Sequence, residues 1–129
     1  MARDEITLQY PTSDATDTIQ TLKPTATTVV QANGIKIKNA FACKDNTLTI
    51  VIANTAEAAK DITIKKGDYP NAVLGDITFN VLASSTNIVK IENPSRLEQA
   101  DGSLLIDFAS GFTGTIYATG KRAGLKPLS

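Results

Sequence analysis

The sequence predicts an all-β fold, a single-domain β-sandwich (immunoglobulin-like or a related barrel) with an extended N-terminal arm. Three observations predict it. Short segments of alternating apolar and polar residues recur at the spacing of about 8–12 residues that is typical of sandwiches and barrels. Their period of two gives each strand one buried and one solvated face, as in antiparallel sheets. Turn-forming residues separate the segments, and the sequence has no helical periodicity of normal length.

The first elements along the chain are an arm and two strands. Residues 1–24 are polar and rich in threonine, and we predict an arm there with one possible strand at Glu5–Tyr10. Thr25–Gln31 is rich in β-branched residues, which favour strands, and Ile35–Lys38 alternates. Asn33-Gly34 lies between these two segments and predicts a type I′ hairpin, because that turn needs positive φ at both central positions.

The strands with the clearest alternation lie in the domain predicted at residues 25–120. They are Thr47–Asn54, Lys60–Lys65, Asp76–Leu82, Asn87–Ile91, Ser103–Phe108 and Gly114–Ala118. Residues 56–60 are predicted to bridge two strands, and Gly67–Gly75 is the longest loop. Asp101-Gly102 predicts a second hairpin that joins Arg96–Ala100 to the strand after it. Residues 121–129 form a basic C-terminal tail.

Composition narrows the class of function. The 129 residues are the size of one domain. Thirteen basic and thirteen acidic side chains give a formal net charge of zero, which argues against nucleic-acid binding and leaves little repulsion between copies. Acids dominate the arm and bases the tail; either both ends are simply solvated, or the opposite charges meet a neighbouring subunit. No run has the length of a membrane span, and no apolar signal segment follows Met1–Glu5, so we expect synthesis in the cytoplasm.

The residues needed for common chemistry are scarce. The chain has no histidine, the commonest general base, and a single cysteine, so it forms no intrachain disulfide. Cys43 lies in the apolar run Ala40–Cys43 and is predicted to be buried. Six aspartates fall near turns or on outward faces, where turn chemistry accounts for them: Asp45, Asp61, Asp68, Asp76, Asp101 and Asp107. Paired acids for glycoside hydrolysis and a calcium site are the alternatives. The sequence predicts no enzyme, cofactor or metal.

One block of the sequence carries more than a strand pattern. It consists of Lys65–Asp76, Ile77–Val81, Ala83–Thr86, Arg96-Leu97, Asp101-Gly102 and Leu105–Thr115. The order of these motifs resembles the small head-decoration (cement) proteins of tailed bacteriophages. The resemblance spans residues 46–118, while the arm and the tail after Gly120 depart from that family.

The resemblance implies a structural virion protein on the outer surface of a capsid. Such proteins add late to the expanded capsid and clamp subunits of the major capsid protein, with no catalysis. A homo-oligomer is expected, and a trimer would suit a three-fold capsid position. We expect no nucleic-acid or membrane partner. The alternatives are a tail-tube or fibre-base β domain, and a carbohydrate or cell-surface binding module with an exposed aromatic platform near Tyr69.

Eight residues are predicted to make contacts with the capsid or with another subunit. Four belong to the arm, three to the long loop and one to the segment before the second hairpin: Arg3, Asp4, Glu5, Tyr10, Asp68, Tyr69, Pro70 and Arg96. Arg96 is expected to pair with an acid at an interface. If the arm orders only on binding, deleting residues 1–18 leaves folding intact and weakens assembly.

Overall fold

The structure is a computed structural model that describes residues 3–13, 20–41, 48–92 and 94–120, with only the backbone described at Thr12, Ser13, Gln20 and Asn71. The predictions for Cys43 and Asp45 and for the basic tail at residues 121–129 lie outside the described residues.

The described residues form an almost purely β structure. The strands are β1 (Asp4–Gln9), β2 (Thr12–Ser13), β3 (Gln20–Thr21), β4 (Thr27–Thr28), β5 (Ile35–Lys38), β6 (Thr49–Asn54), β7 (Lys60–Ile64), β8 (Ile77–Val81), β9 (Ser85–Lys90), β10 (Leu104–Phe108) and β11 (Gly114–Thr119). A 3₁₀ helix covers Pro70–Leu74, and a single α-helical turn, α1, covers Pro94–Leu97. The predicted all-β single domain is confirmed.

One sheet builds most of the molecule. Its strands follow the order β8-β7-β10-β5-β1-β11-β6-β9, and β4 pairs with β11 beside this path. The sheet curls into a nearly closed barrel, which is the related-barrel form of the prediction. The two end strands, β8 and β9, are consecutive in the chain and yet are not paired with each other, so the barrel has an opening between them. The short strands β2 and β3 form a separate two-stranded sheet.

Strand β1 agrees with the possible strand predicted at Glu5–Tyr10, but it lies in the middle of the large sheet and not on an arm. Residues 4–7 pair with β5 and residues 8–9 pair with β11, in both cases parallel. Ile6 is buried and Leu8 packs against the core, so this segment belongs to the body. The expectation of purely antiparallel pairing is wrong at these two ladders, because alternation records which face is buried and not the direction of the neighbouring strand.

The two hairpin predictions fail in different ways. Asn33-Gly34 joins no hairpin, because β4 pairs with β11 whereas β5 pairs with β1 and β10. Gly34 has a positive φ of 71°, but Asn33 does not, so the type I′ requirement is not met. At Asp101-Gly102 a tight turn does form, with the Gln99 N–H donating to the Ser103 carbonyl at 2.9 Å. The strand predicted at Arg96–Ala100 is wrong, since Arg96 and Leu97 belong to the helical turn α1.

The barrel interior is filled mainly by branched aliphatic side chains. These inward residues come from alternate positions of most strands: Ile35, Ile37, Ile50, Ile52, Ile62, Ile64, Val81, Leu104, Ile106 and Ile116. Each alternates with an outward neighbour, as the period of two predicts. The side chain of Asn54 is also buried, and it joins the connection after β6 to the turn between β8 and β9.

Candidate interaction surfaces

Two of the predicted arm residues are engaged within the body. Arg3 pairs with Asp107 and donates a second hydrogen bond to the Ile106 carbonyl at 2.9 Å. The Asp4 carboxylate accepts a hydrogen bond from the Asn33 amide at 3.1 Å. These contacts fix the start of β1 against β10 and the turn before β5. An intermolecular role for Arg3 and Asp4 stays a prediction.

The other two arm residues also lie on the body. Glu5 pairs with Lys38 at 3.8 Å across the parallel ladder between β1 and β5. Tyr10 is half-buried and packs against the core. The four arm residues therefore lie along one strand of the sheet and at its ends, and not on an arm that projects from the body. Their predicted part in an interface is untested.

Arg96, on α1, holds the end of the long loop in place. Its Nε donates to the Gly75 carbonyl at 2.9 Å, and its Nη2 donates to the carbonyls of Leu74 at 3.1 Å and Asp76 at 3.3 Å. These carbonyls lie at the end of the 3₁₀ helix, where the helix itself offers no partner. Within the chain, Arg96 therefore binds backbone carbonyls, and the acid predicted as its interface partner is untested.

Asp68 and Gly67 fasten the base of the loop to the segment after α1. The Asp68 carboxylate accepts the Ala100 N–H at 2.7 Å, and the Asp68 N–H donates to the Glu98 carbonyl at 3.0 Å. Gly67 sits so close to this segment that an added Cβ would lie 2.0 Å from the Glu98 carbonyl oxygen. Asp68 is thus a structural residue of the loop, whatever further contacts it makes.

Lys65 and Asp76 close the neck of the loop. The Lys65 ammonium lies 2.9 Å from one Asp76 carboxylate oxygen, and the Lys66 N–H donates to the other at 2.7 Å. The hydrogen bond from Lys65, followed by that from Lys66, lowers the pKa of Asp76 below its ordinary value. The same pair raises the pKa of Lys65. The two ends of the loop are therefore joined by an ion pair and a hydrogen bond where they leave β7 and β8.

The end of this loop presents apolar side chains to solvent. We call Tyr69, Pro70, Val73 and Leu74 the loop tip. Val73 is 88% exposed, Leu74 59% and Tyr69 42%, and Pro70 is exposed as well. The sequence left Tyr69 open between an exposed contact and packing within the loop; its side chain is partly exposed, and its predicted contact stays a prediction. Sequence reasoning missed Val73 and Leu74, because apolar residues in a loop can equally well fold back on the body.

Charge is divided unevenly over the outer surface of the barrel. The four ion pairs found among the described residues all lie on β1, β5, β7, β8, β10 and their turns: Arg3–Asp107, Lys36–Asp101, Lys38–Glu5 and Lys65–Asp76. The outward positions of β6, β9 and β11 carry a single charge, on Lys90. We call this the low-charge face: Thr49, Val51, Ala53, Thr86, Ile88, Lys90, Thr115, Tyr117 and Thr119.

An apolar row crosses the low-charge face. The ladders pair Tyr117 with Val51 and Val51 with Ile88, so the three side chains stand side by side on adjacent strands. Ile88 lies on the end strand and is 73% exposed. Beyond it lies the opening of the barrel, a cleft of about 310 Å³ lined largely by the apolar side chains of β8, β9 and α1.

Other kinds of site find little support in the described part of the chain. No group of three or more acidic, cysteine or histidine residues there is arranged to hold a metal ion. Within the same residues, no helix has the length and apolar character needed to cross a bilayer. Comparisons with protein-family models, with curated proteins and with solved structures find no match to this chain.

Proposed function

We propose that this chain is a structural virion protein that binds the outer surface of a tailed-bacteriophage capsid through its loop tip. The observation that carries the proposal is the loop tip itself, an exposed apolar cluster on a loop that is already fixed. The loop also coincides with Lys65–Asp76, the first motif of the resemblance to head-decoration proteins. The partner would be the major capsid protein.

The physical case depends on order that exists before binding. Association costs less when the contact residues need not be immobilised, and the burial of apolar surface is the dominant favourable term in most protein association. Arg96 holds the end of the 3₁₀ helix, Asp68 holds its base, and Lys65 with Asp76 closes the neck. Val73 and Leu74 are therefore presented on a rigid support, as a docking anchor requires.

Binding to the capsid is tested by co-sedimentation of the purified chain with undecorated, expanded capsids of the encoding phage. Saturable binding at a fixed ratio to the major capsid protein is expected. Burying one leucine is worth about 1.5–3 kcal/mol, so Leu74→Asp should weaken binding by at least about tenfold. The matched control is Leu82→Asp, because Leu82 is equally exposed, at 65%, in the turn between β8 and β9.

The outcomes separate this proposal from its alternatives. Equal binding by Leu74→Asp and the wild type would remove the loop tip from the interface. Recovery of the chain in tail fractions and not on capsids would favour a tail-tube or fibre-base domain. Binding to a glycan array that Tyr69→Ala abolishes would favour a carbohydrate-binding module.

A further inference from the structure

Strand β9 ends the sheet with one edge that no described strand covers. It pairs with β6 along all six of its residues and is not paired with β8. The Ile91 N–H donates to the Leu48 carbonyl at 3.1 Å, just beyond the end of this ladder. Hydrogen-bonded positions alternate in an antiparallel ladder. The backbone groups of Thr86, Ile88 and Lys90 therefore point away from β6, toward the free edge.

This edge carries few of the devices that usually prevent strands from pairing with another chain. Proteins protect such edges with proline, bulges, very short strands or charged side chains, of which lysine is the commonest. Strand β9 has six residues in continuous register, contains no proline and carries one charge, on Lys90. Ile88, at its centre, is 73% exposed. An exposed, regular strand with an apolar centre is a template for strand addition.

We propose that two copies of this chain pair along β9, antiparallel about a two-fold axis at Ile88, to form a dimer. Residues that face each other across an antiparallel ladder share the same side of the sheet. Only registers that pair outward with outward residues are therefore allowed. In the register centred on Ile88, Thr86 faces the partner's Lys90 and Ile88 faces the partner's Ile88. This register uses the backbone groups of Thr86, Ile88 and Lys90 that point away from β6.

The side chains suit a second copy as the occupant. Each Lys90 meets a threonine, so no like charges face each other across the two-fold axis. The apolar row of Tyr117, Val51 and Ile88 continues into the same row of the partner, since the ladders align these residues. The formal net charge of zero adds no long-range repulsion between copies. The dimer does not depend on the proposed capsid role.

A cysteine at the two-fold axis gives a direct test. In a Cys43→Ser background, Ile88→Cys should form a disulfide-linked dimer under mild oxidation. Opposed residues of a hydrogen-bonded pair have Cα atoms about 5.5 Å apart, within the range that a disulfide spans. The control is Val51→Cys on the same face, which would lie about 14 Å from its copy. Equal cross-linking of both variants, or of neither, overturns the proposal.

Two charge substitutions give a second test, because one should weaken the dimer and the other should tighten it. Ile88→Lys places two ammonium groups face to face and should leave a monomer in sedimentation velocity. Thr86→Glu faces the partner's Lys90 twice and should tighten the dimer about 2- to 30-fold at low salt. Circular dichroism of each variant confirms that it is folded. Three outcomes overturn the proposal. The wild type stays monomeric at 100-fold the concentration of a routine run, the wild type forms a trimer, or the Ile88→Lys variant still forms the dimer.

Discussion

Asn54 is a buried polar residue whose hydrogen bonds connect two separate turns. Its side chain is 2% exposed, and its Nδ2 donates to the carbonyls of Val81 at 3.1 Å and Leu82 at 3.3 Å. Its Oδ1 accepts the Ala56 N–H at 2.9 Å, and Nδ2 also reaches the Ala58 carbonyl at 3.2 Å. One amide therefore ties the connection after β6 to the turn that joins β8 and β9.

Replacing Asn54 by leucine, a side chain of similar size, should lower the free energy of unfolding substantially. Asn54→Leu leaves the Ala56 N–H and the carbonyls near Val81 without their partner, and unmade hydrogen bonds of buried groups cost about 1–3 kcal/mol. We expect a loss of about 2 kcal/mol or more in the free energy of unfolding, measured by urea denaturation. Asn80→Leu is the exposed control, since the Asn80 side chain donates a solvent-exposed hydrogen bond to Asp61 at 3.0 Å. Equal losses in both variants would contradict the role of Asn54.

Asp101 makes the stability of the turn before β10 depend on pH. Its carboxylate lies 2.9 Å from the Lys36 ammonium and accepts hydrogen bonds from the Ser103 N–H and hydroxyl. The hydrogen bond from Lys36, followed by those from Ser103, holds the pKa of Asp101 well below its ordinary value. A carboxyl whose pKa is lowered by folding stabilises the folded state above its unfolded pKa of about 3.9.

The stabilisation from Asp101 should therefore be present at neutral pH and be lost in acid. We expect wild-type protein to melt at a higher temperature than Asp101→Asn at pH 7. The difference should shrink as the pH falls from about 4 toward the folded pKa. Thermal melts of both proteins between neutral and strongly acidic pH measure it. A difference that stays constant across this range would show that the charge on Asp101 does not contribute.

At the scale of elements, Arg96 should control the loop and not the barrel. A lysine is a single point charge, whereas the guanidinium of Arg96 serves the carbonyls of Leu74, Gly75 and Asp76 together. In Arg96→Lys we expect faster hydrogen exchange at the Ala72 and Gly75 amides, with unchanged exchange in β7. Uniformly faster exchange would contradict a local role. If the capsid proposal holds, this variant also binds capsids more weakly.

The strands were predictable from sequence to the extent that they alternate. β5 and β6 each have one fully buried face, so their period of two is visible in the residues. Their partners were not predictable, because a strand such as β1 has the same alternation whether its neighbours are parallel or antiparallel. Asn33-Gly34 predicted a hairpin from local turn chemistry, but the contacts of β4 with β11 override that preference.

The loop tip illustrates a different limit. Periodicity does not apply within a loop, so nothing in the sequence distinguished the exposed Val73 and Leu74 from loop residues folded back on the body. The role of Arg96 was equally hidden, because its partners are backbone carbonyls, which every residue carries. Tyr69 could be named in advance, since an aromatic residue beside proline in a long loop is noticeable on its own.

At the scale of the whole molecule, the barrel separates two surfaces of different character. The ion pairs on β1, β5, β7 and β10 occupy one part of the outer wall, and the low-charge face occupies another. The loop tip projects from a third region, beside α1. A dimer formed along β9 would present two loop tips, and linked binding sites raise avidity when both can engage one surface. The two proposals are thus compatible, and each is tested alone.

Strand β1 decides whether the N-terminal segment is dispensable. It connects β5 to β11, so its removal creates two unpaired edges in the middle of the sheet and exposes the core beside Ile6. Deleting residues 1–18 should therefore abolish cooperative thermal unfolding, contrary to the expectation for an arm. The control is deletion of residues 121–129, which removes no residue of the described sheet. Near-ultraviolet circular dichroism and thermal melts compare the two chains. A sharp transition in the chain that lacks residues 1–18 would mean that β1 is not needed to close the sheet, and that the segment behaves as an arm after all.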